Sequence, residues 1–269
     1  MKALYLLQLE WKKYKNYRLF QVLFIGYLIL LPGILWSIVG REFGAGVPFD
    51  PVTIYTFPDI WEYMAYFGNW LMFFFLGFVG VLTITNEHSY KTFRQNIISG
   101  LTRHDFFMAK VLSILAIILF CTLYFILVGY VVGSYYTRDP QWDEMTEHAG
   151  AIANFALVCL AYSVYGLLLG VLVKRTGFAL FIYMVAGMFL EKIFRWLIHK
   201  NVFDNVSMHF YPFNSVNDLT PWPSPMIRNA VENSGMRLFL TTGEAQITVW
   251  IYILLFLAFI YWRIRKGDL

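Results

Sequence analysis

The sequence predicts an all-α, polytopic membrane protein with six transmembrane helices, and three observations support this prediction. Hydrophobic residues make up 59% of the 269 residues, aromatic residues 20% and charged residues only 14%, which lies outside the range of soluble domains. Six apolar segments recur along the chain, each near the roughly 20 residues that a helix needs to cross a bilayer. The charged residues collect between these segments. We therefore expect a single transmembrane domain over residues 1–269 and no large soluble domain.

Residues 1–18 predict an amphipathic helix that lies on the membrane surface. Leu4, Leu7, Trp11 and Tyr14 are three or four residues apart, so they form one apolar stripe. The side chains that face the lipid head groups are Gln8, Lys12 and Lys15. The positive charges follow the short apolar run and no small-residue cleavage site appears, which argues against a secretory signal peptide. The segment is therefore expected to be an interfacial helix that contacts membrane lipids.

The apolar segments place the spans and some of their packing. Pro32 predicts a kink in the first span, where a packed neighbour or water must satisfy the freed carbonyl. Gly166 and Gly170 in the fourth span match a small-residue pattern for close helix contact. Near the end of the fifth span, Glu191 and Arg195 are four residues apart, a spacing that allows them to pair. The spans are predicted at about 19–39, 64–85, 111–133, 151–173, 177–198 and 247–262.

Residues 86–110 form a charged, amphipathic segment between the second and third spans. Apolar side chains recur near helical spacing in its first half, which predicts a short helix along the membrane surface that ends near Gly100. Thr102, with Asp105 three residues later, predicts a capping box at the start of a helix that continues into the third span. The alternative is an ordinary basic loop without a partner.

The longest connection, residues 201–245, precedes the sixth span and carries little charge. Pro212, Pro221, Pro223 and Pro225 interrupt it. Because the segment is so apolar, we expect it to enter the outer leaflet or lie on it. Wherever its backbone is irregular, it should be buried against the spans.

Basic residues predict the orientation of the chain. With the N-terminus inside, 14 of the 21 basic residues lie in interior segments, so the positive-inside rule predicts that both termini are cytoplasmic. These residues are Lys2, Lys12, Lys13, Lys15, Arg18, Lys91, Arg94, Arg103, Lys110, Lys174, Arg175, Arg263, Arg265 and Lys266.

The chain lacks the motifs of several functional classes. It contains no H-E-x-x-H, G-x-S-x-G, C-x-x-C or G-x-x-x-x-G-K-[ST] motif, so we expect no catalytic residues, no metal site and no bound ATP. No ionisable residue lies near the middle of a span, which argues against an ion channel or a proton-coupled transporter. Cys121 and Cys159 lie inside spans and are expected to pack as small apolar residues. The net charge of +4 is small and gives no case for nucleic-acid binding.

The organisation of the chain and a local motif resemble the permease subunit of an ABC-2-type exporter. In that family the second span commonly ends in an acidic residue, followed by a short helix with a Thr-x-Arg pattern, a second arginine, and a lysine that begins the third span. The matching positions here are Glu87, Thr92, Arg94, Arg103 and Lys110.

The match is not complete at every position. Lys91 stands where the family often has glycine, and Gly100-Leu101-Thr102 stands near its frequent Pro-x-Ser.

The resemblance implies a dimer of permeases, each resting on a separate ATP-binding subunit that carries the ATP and Mg²⁺. This chain itself would bind no cofactor. The segment from Tyr90 to Ile98 would be the coupling helix that seats in the ATPase, and the N-terminal helix would form a second contact. The residues implied in ATPase coupling are Glu87, Tyr90, Thr92, Phe93, Arg94, Ile97 and Arg103.

The resemblance also implies a substrate path along the dimer interface, formed largely by the second and fifth spans. Trp222 in the outer connection is a candidate for an external gate. The alternative for the aromatic rings is contact with lipid or neighbouring helices. The candidates for lining the path are Phe73, Phe74, Phe78, Phe181, Tyr183 and Phe189.

The sequence therefore predicts a non-enzymatic permease subunit of an ATP-driven exporter in the inner (cytoplasmic) membrane of a bacterial cell. Its cargo would be a lipid, a peptide, a drug-like compound or a polymer. The substrate and the choice between two copies and two different permeases stay open. The alternative is a non-transporting membrane anchor or assembly protein, whose acidic loop and apolar outer connection hold an extracytoplasmic partner.

Overall fold

Within the residues that the computed structural model describes, six helices are long and apolar enough to cross a membrane. The structure describes residues 2–40, 51–90, 92–98, 100–203, 205–223 and 239–266, and within these ranges it contains helices, turns and connecting segments but no strand. The all-α, polytopic prediction is therefore confirmed.

The helices are numbered here in chain order. The candidate spans are α2 (Arg18–Ile38), α3 (Ile60–Ser89), α5 (Arg103–Tyr136), α7 (Gly150–Leu172), α8 (Thr176–Val202) and α10 (Thr242–Lys266). The shorter helices are α1 (Lys2–Lys15), α4 (Thr92–Ile98), α6 (Trp142–Thr146) and α9 (Pro212–Asp218). Helix α8 contains two π-helical stretches, Ala186–Leu190 and Phe194–His199.

Several helices extend beyond the predicted apolar spans. Helix α5 begins at Arg103, eight residues before the predicted start at 111, because the Thr102 side chain accepts from the Asp105 backbone in a capping box. At α10, Thr241 and Glu244 make the same kind of reciprocal contact, and the helix begins at Thr242 rather than 247. Hydropathy marks the apolar core of a span, whereas caps mark the ends of the helix.

Helices α3 and α7 pack together at the centre of the bundle through small residues. A Cβ atom added at Gly166 would lie 2.1 Å from the Gly77 carbonyl oxygen, and one at Gly170 would lie 2.8 Å from the Val81 carbonyl oxygen. On the other helix, a Cβ atom at Gly80 would lie 2.3 Å from the Ser163 carbonyl oxygen. These glycines therefore permit the close backbone contact predicted from the Gly166 and Gly170 spacing.

Helix α2 continues through Pro32 because a neighbouring span replaces the missing hydrogen bond. Proline has no N–H, so the carbonyl of Leu28, four residues earlier, loses its donor within the helix. The Tyr124 hydroxyl of α5 donates to that carbonyl at 2.6 Å. The expectation that a packed neighbour satisfies the freed carbonyl is confirmed.

The described part of the outer connection is packed against the spans. In and just after α9, the side chains of Ser215, Val216 and Leu219 are buried. This agrees with the expected burial of an apolar, irregular segment. Residues 224–238, including Pro225, lie outside the described part of the chain.

Candidate functional site

Four charged side chains meet where α1, α3 and α5 come together. Lys13 Nζ lies 2.8 Å from Glu10 Oε1 and 2.6 Å from Glu87 Oε1. Lys110 Nζ lies 2.7 Å from Glu10 Oε2 and also donates to Glu87 Oε1. We call Glu10, Lys13, Glu87 and Lys110 the charge network. Its two negative charges balance its two positive charges.

Burial makes the balance of the charge network important. Glu10, Glu87 and Lys110 are almost fully buried, whereas Lys13 keeps 33% of its side chain exposed. A buried charge is tolerated when it is paired and hydrogen-bonded, and removing one partner of such a pair is strongly destabilising. Each carboxylate in the network contacts both ammonium groups, so the three helices are held together by mutually dependent contacts.

Tyr14 adds a second polar contact among the same three helices. Its hydroxyl lies 2.7 Å from Thr83 Oγ1 on α3 and 3.4 Å from Ser113 Oγ on α5. Burial, with a smaller contribution from the charge of Glu10, raises the pKa of the Tyr14 phenol well above its ordinary value. The hydroxyl therefore stays protonated and serves as a neutral hydrogen-bonding group.

The short helix α4 is attached to the charge network through Glu87. The Thr92 hydroxyl donates to Glu87 Oε2 at 2.5 Å, and the Asn96 side-chain amide lies 3.5 Å from the same oxygen. The other oxygen, Oε1, receives Lys13 and Lys110. One carboxylate thus joins α4 to the three helices of the network.

A cavity of about 280 Å³ opens beside this site. Its lining includes Lys13 and Glu87 of the charge network, together with Asn16, Asn86 and Thr92. The cavity thus borders the partly exposed Lys13 side chain and Thr92 at the start of α4.

The remaining coupling residues predicted from the sequence occupy different positions. Tyr90 follows α3 directly and is exposed. The side chains of Phe93, Arg94 and Ile97 lie outside the described residues, although their backbone is part of α4. Arg103 donates to the Ile264 and Arg265 carbonyls of α10, at 3.2 and 2.8 Å.

The predicted substrate-path residues divide into buried and exposed sets. Phe73 and Tyr183 are buried, and their rings stack with centroids 4.9 Å apart. Phe74 and Phe78 are partly buried against the core. Phe181 and Phe189 are exposed on α8. Their role in a substrate path stays a prediction.

Trp222 lies against the first turns of α3. Its ring makes edge-to-face contacts with Tyr63, Tyr66 and Phe67, at centroid distances of 5.7, 4.9 and 6.2 Å. Such contacts stabilise aromatic pairs beyond simple burial. They fix the ring at the end of α3 opposite the charge network, and its role as a gate stays a prediction.

Glu191 and Arg195 form no direct ion pair, although their spacing allows one, because each side chain hydrogen-bonds to the outer connection. Glu191 accepts the backbone N–H groups of Phe213 and Asn214, at 2.8 and 2.6 Å. Arg195 donates to the Met208 carbonyl at 2.8 Å and to the Asn214 side chain. The first-turn amides of α9 compete successfully for the carboxylate, since a helix N-terminus favours negative charge.

Asp218 completes this outer polar cluster. It accepts the backbone N–H of Leu240 at 3.1 Å and the Asn214 side-chain amide at 2.9 Å. Burial raises the pKa of the Asp218 carboxyl to about 6, against the opposing effect of these hydrogen bonds and of Arg195. Asp218 thereby connects α9 to the segment that begins α10.

Glu10 and Lys13 are the site residues that sequence reasoning missed. Glu10 follows Leu7 by three residues and precedes Tyr14 by four, so helical spacing places its carboxylate on the buried face of α1. An acid on the apolar face of a basic amphipathic helix was the available signal. The structure buries Glu10 and Tyr14, whereas Leu4 and Trp11 of the predicted stripe are exposed.

Comparison with known protein families adds one match. The family described as ABC-2 family transporter protein matches residues 55–194, which is 140 of the 269 residues. The matched region includes Glu87, α4 and Lys110, while Glu10 and Lys13 lie before it. No curated protein matches the chain.

Proposed function

Because the chain belongs to the ABC-2 family of transporter proteins, and is thus the permease component of an ABC transporter, we propose that it couples ATP hydrolysis to export. A separate subunit on the cytoplasmic face carries the ATP, the Mg²⁺ and the ATPase activity. This chain supplies no catalytic group for that reaction and no site for the ATP or its Mg²⁺. Two permeases, identical or different, form the path through the cell membrane of a bacterium. The cargo is a lipid, a peptide, a drug-like compound or a polymer.

The observation that carries this proposal is the attachment of α4 to three other helices through Glu87. Helix α4 has seven residues and lies between two spans, at the end of the bundle that the basic residues predict to be cytoplasmic. Gln95 and Ile98 are exposed on it. A subunit that binds this exposed surface contacts the element directly connected to the charge network.

The connection explains how movement of the ATPase reaches the spans. When α4 shifts, Thr92 moves Glu87 with it, or the hydrogen bond between them breaks. Where Thr92 carries Glu87 with it, Glu87 changes its contacts with Lys13 and Lys110, and α1 and α5 lose or exchange a partner. Packed elements respond to such changes as rigid bodies with alternative arrangements. The charge network therefore converts movement of α4 into relative movement of α1, α3 and α5.

The proposed path suits a cargo that is held by apolar contact. Phe74 and Phe78 of α3 are partly buried, and Phe181 and Phe189 of α8 are exposed, so their rings are available to a second permease or to cargo. Aromatic rings supply large apolar contact area. The centres of α2, α3, α5, α7 and α10 carry no charged residue, whereas Glu191 and Lys192 lie near the centre of α8, contrary to the expectation from the sequence.

The first test uses crosslinking from α4. A Gln95→Cys variant with a C-terminal tag is extracted in mild detergent from the native membrane, after treatment with a thiol crosslinker, and its partners are identified by mass spectrometry. We expect a soluble subunit with a P-loop, at about one copy per permease. Gln141→Cys is the matched control, since Gln141 is also exposed but lies between α5 and α6 at the other end of the bundle.

The proposal fails if no nucleotide-binding protein is crosslinked through position 95. It also fails if position 141 captures that protein equally well, because α4 would then not be the contact. A single extracytoplasmic protein captured through position 141 would instead support the membrane-anchor alternative.

A further inference from the structure

Three side chains with metal-ligating atoms meet at the end of the bundle opposite the charge network. Asp59 and Glu62 lie at the start of α3, and His148 lies just before α7. One ligand atom from each residue can be chosen so that all three lie within 4.8 Å of one another. All three side chains are partly exposed, so solvent has access to the cluster.

The contact between His148 and Asp59 has the spacing of two ligands on one ion. His148 Nδ1 lies 3.1 Å from Asp59 Oδ1. This nitrogen is buried from solvent, yet among the described residues it has no hydrogen-bond partner. Zinc bonds of about 2.0–2.1 Å at tetrahedral angles place neighbouring ligand atoms about 3.3 Å apart. The two atoms are thus close enough to form an ion pair or to share a cation.

The Asp59 carboxylate also does not cap α3, although Asp59 occupies the capping position of that helix. Aspartate directly before a helix commonly caps the first turn by accepting a backbone N–H. Asp59 precedes α3, but its side chain makes no capping hydrogen bond. The helix dipole favours acidic groups at this end, which accounts for Asp59 and Glu62 being carboxylates. The dipole does not place the His148 imidazole at the same point, where its nitrogen contacts Asp59.

We propose that Asp59, Glu62 and His148 bind a Zn²⁺ ion. Two carboxylates and one imidazole suit zinc, whereas Ca²⁺ and Mg²⁺ prefer ligand sets made of oxygen alone. Three protein ligands leave the fourth position to water, which the partial exposure of the cluster permits. The ion joins the start of α3 to His148, two residues before the first residue of α7, and so fixes the outer ends of these two helices relative to each other.

The surrounding contacts hold the three ligands near one another before metal arrives. Trp61 Nε1, on the first turn of α3, donates to the Met145 carbonyl of α6 at 2.8 Å. Because this bond joins the same two parts of the chain as the cluster, binding requires little rearrangement. Preorganisation of this kind lowers the cost of ordering the ligands.

The test is metal binding by the purified chain, carrying a tag without histidines, in detergent after EDTA treatment and removal of the chelator. We expect one Zn²⁺ per chain by elemental analysis and a rise in melting temperature on adding Zn²⁺. Replacement of zinc by Co²⁺ should give the visible absorption of a low-coordinate site. His148→Ala and Glu62→Gln should each weaken binding at least tenfold and remove the rise in melting temperature.

Two controls separate this site from adventitious binding. Glu144→Gln removes a nearby acidic group outside the cluster, and His199→Ala removes a histidine elsewhere in the described chain; both should bind Zn²⁺ like the parent. If His148→Ala does not yield folded protein, Asp59→Asn takes its place as the second ligand variant. The proposal is overturned if the parent takes up no Zn²⁺, if the ligand variants bind it normally, or if Ca²⁺ binds more tightly than Zn²⁺.

Discussion

The Thr92 hydroxyl donates to Glu87 Oε2 at 2.5 Å, and this hydrogen bond crosses from α4 to the end of α3. A hydrogen bond to a charged group contributes about 1.5–3 kcal/mol. Thr92→Val keeps the shape of the side chain but removes the donor. We expect it to raise the local opening equilibrium of α4 about tenfold or more, measured as faster backbone hydrogen exchange over residues 92–98 in detergent.

Thr85→Val is the matched control for that measurement. Thr85 is buried on α3 and donates within its own helix, to the Val81 carbonyl at 3.1 Å. Thr85→Val should leave backbone hydrogen exchange in α4 unchanged. If Thr92→Val also leaves it unchanged, the hydrogen bond to Glu87 does not hold α4 in place, and the proposed transmission through Glu87 loses its first step.

Lys110 is the most deeply buried cation of the charge network. Lys110→Met leaves Glu10 and Glu87 with Lys13 alone, so one buried negative charge has no counterpart. Removing one partner of a buried ion pair costs about 3–5 kcal/mol. We expect a correspondingly large fall in the free energy of unfolding, measured by denaturant titration in detergent micelles.

A double variant separates loss of charge balance from loss of packing. In Lys110→Met with Glu10→Gln, the network again has one acid and one base, so part of the lost stability should return. Lys12→Met removes an exposed lysine from α1 and should change stability little. If the double variant is no more stable than Lys110→Met alone, the cost comes from packing rather than from unbalanced charge.

Tyr124 supports the carbonyl that Pro32 leaves without a donor within α2. Tyr124→Phe removes the hydroxyl and leaves the Leu28 carbonyl unsatisfied, which costs about 1–3 kcal/mol. Restoring the backbone N–H with Pro32→Ala should therefore make the pair Tyr124→Phe/Pro32→Ala more stable than Tyr124→Phe alone. Thermal unfolding in detergent measures both differences.

Tyr130→Phe removes an exposed hydroxyl from the same helix and should have little effect. Equal stability of Tyr124→Phe and the parent would show that water or another group satisfies the Leu28 carbonyl. The predicted gain from Pro32→Ala would then also be absent.

Local chemistry could be predicted from the sequence, whereas contacts between distant elements could not. The capping box of Thr102 and Asp105 depends on residues three apart, and the structure contains it. The partners of Glu87 include Lys13, which is 74 residues away, and no local pattern indicates which helix meets α3. Glu191 and Arg195 satisfy a local rule, but the amides of α9 take the place of the pair that this rule allows.

The buried carboxyl of Asp218 makes the stability of the outer cluster depend on pH. Its pKa is raised from 3.8 to about 6 because burial disfavours the charged form. The folded state therefore binds this proton more tightly than the unfolded state, and the stabilisation from the proton is complete below pH 4.

This stabilisation is lost as the pH rises towards about 6, and it is worth at most about 3 kcal/mol at 1.36 kcal/mol for each pKa unit. Because other groups also titrate between these pH values, the test compares the pH dependence of the parent with that of a variant. The melting temperature of the parent should fall more between pH 4.5 and pH 7.5 than that of Asp218→Asn, which has no charge to bury.

Asp143→Asn is the matched control, because Asp143 is exposed in α6. This variant should keep the pH dependence of the parent. If Asp218→Asn also keeps it, the proton on Asp218 does not stabilise the fold. The Leu240 amide and the Asn214 side chain would then hold a carboxylate that is charged throughout this range.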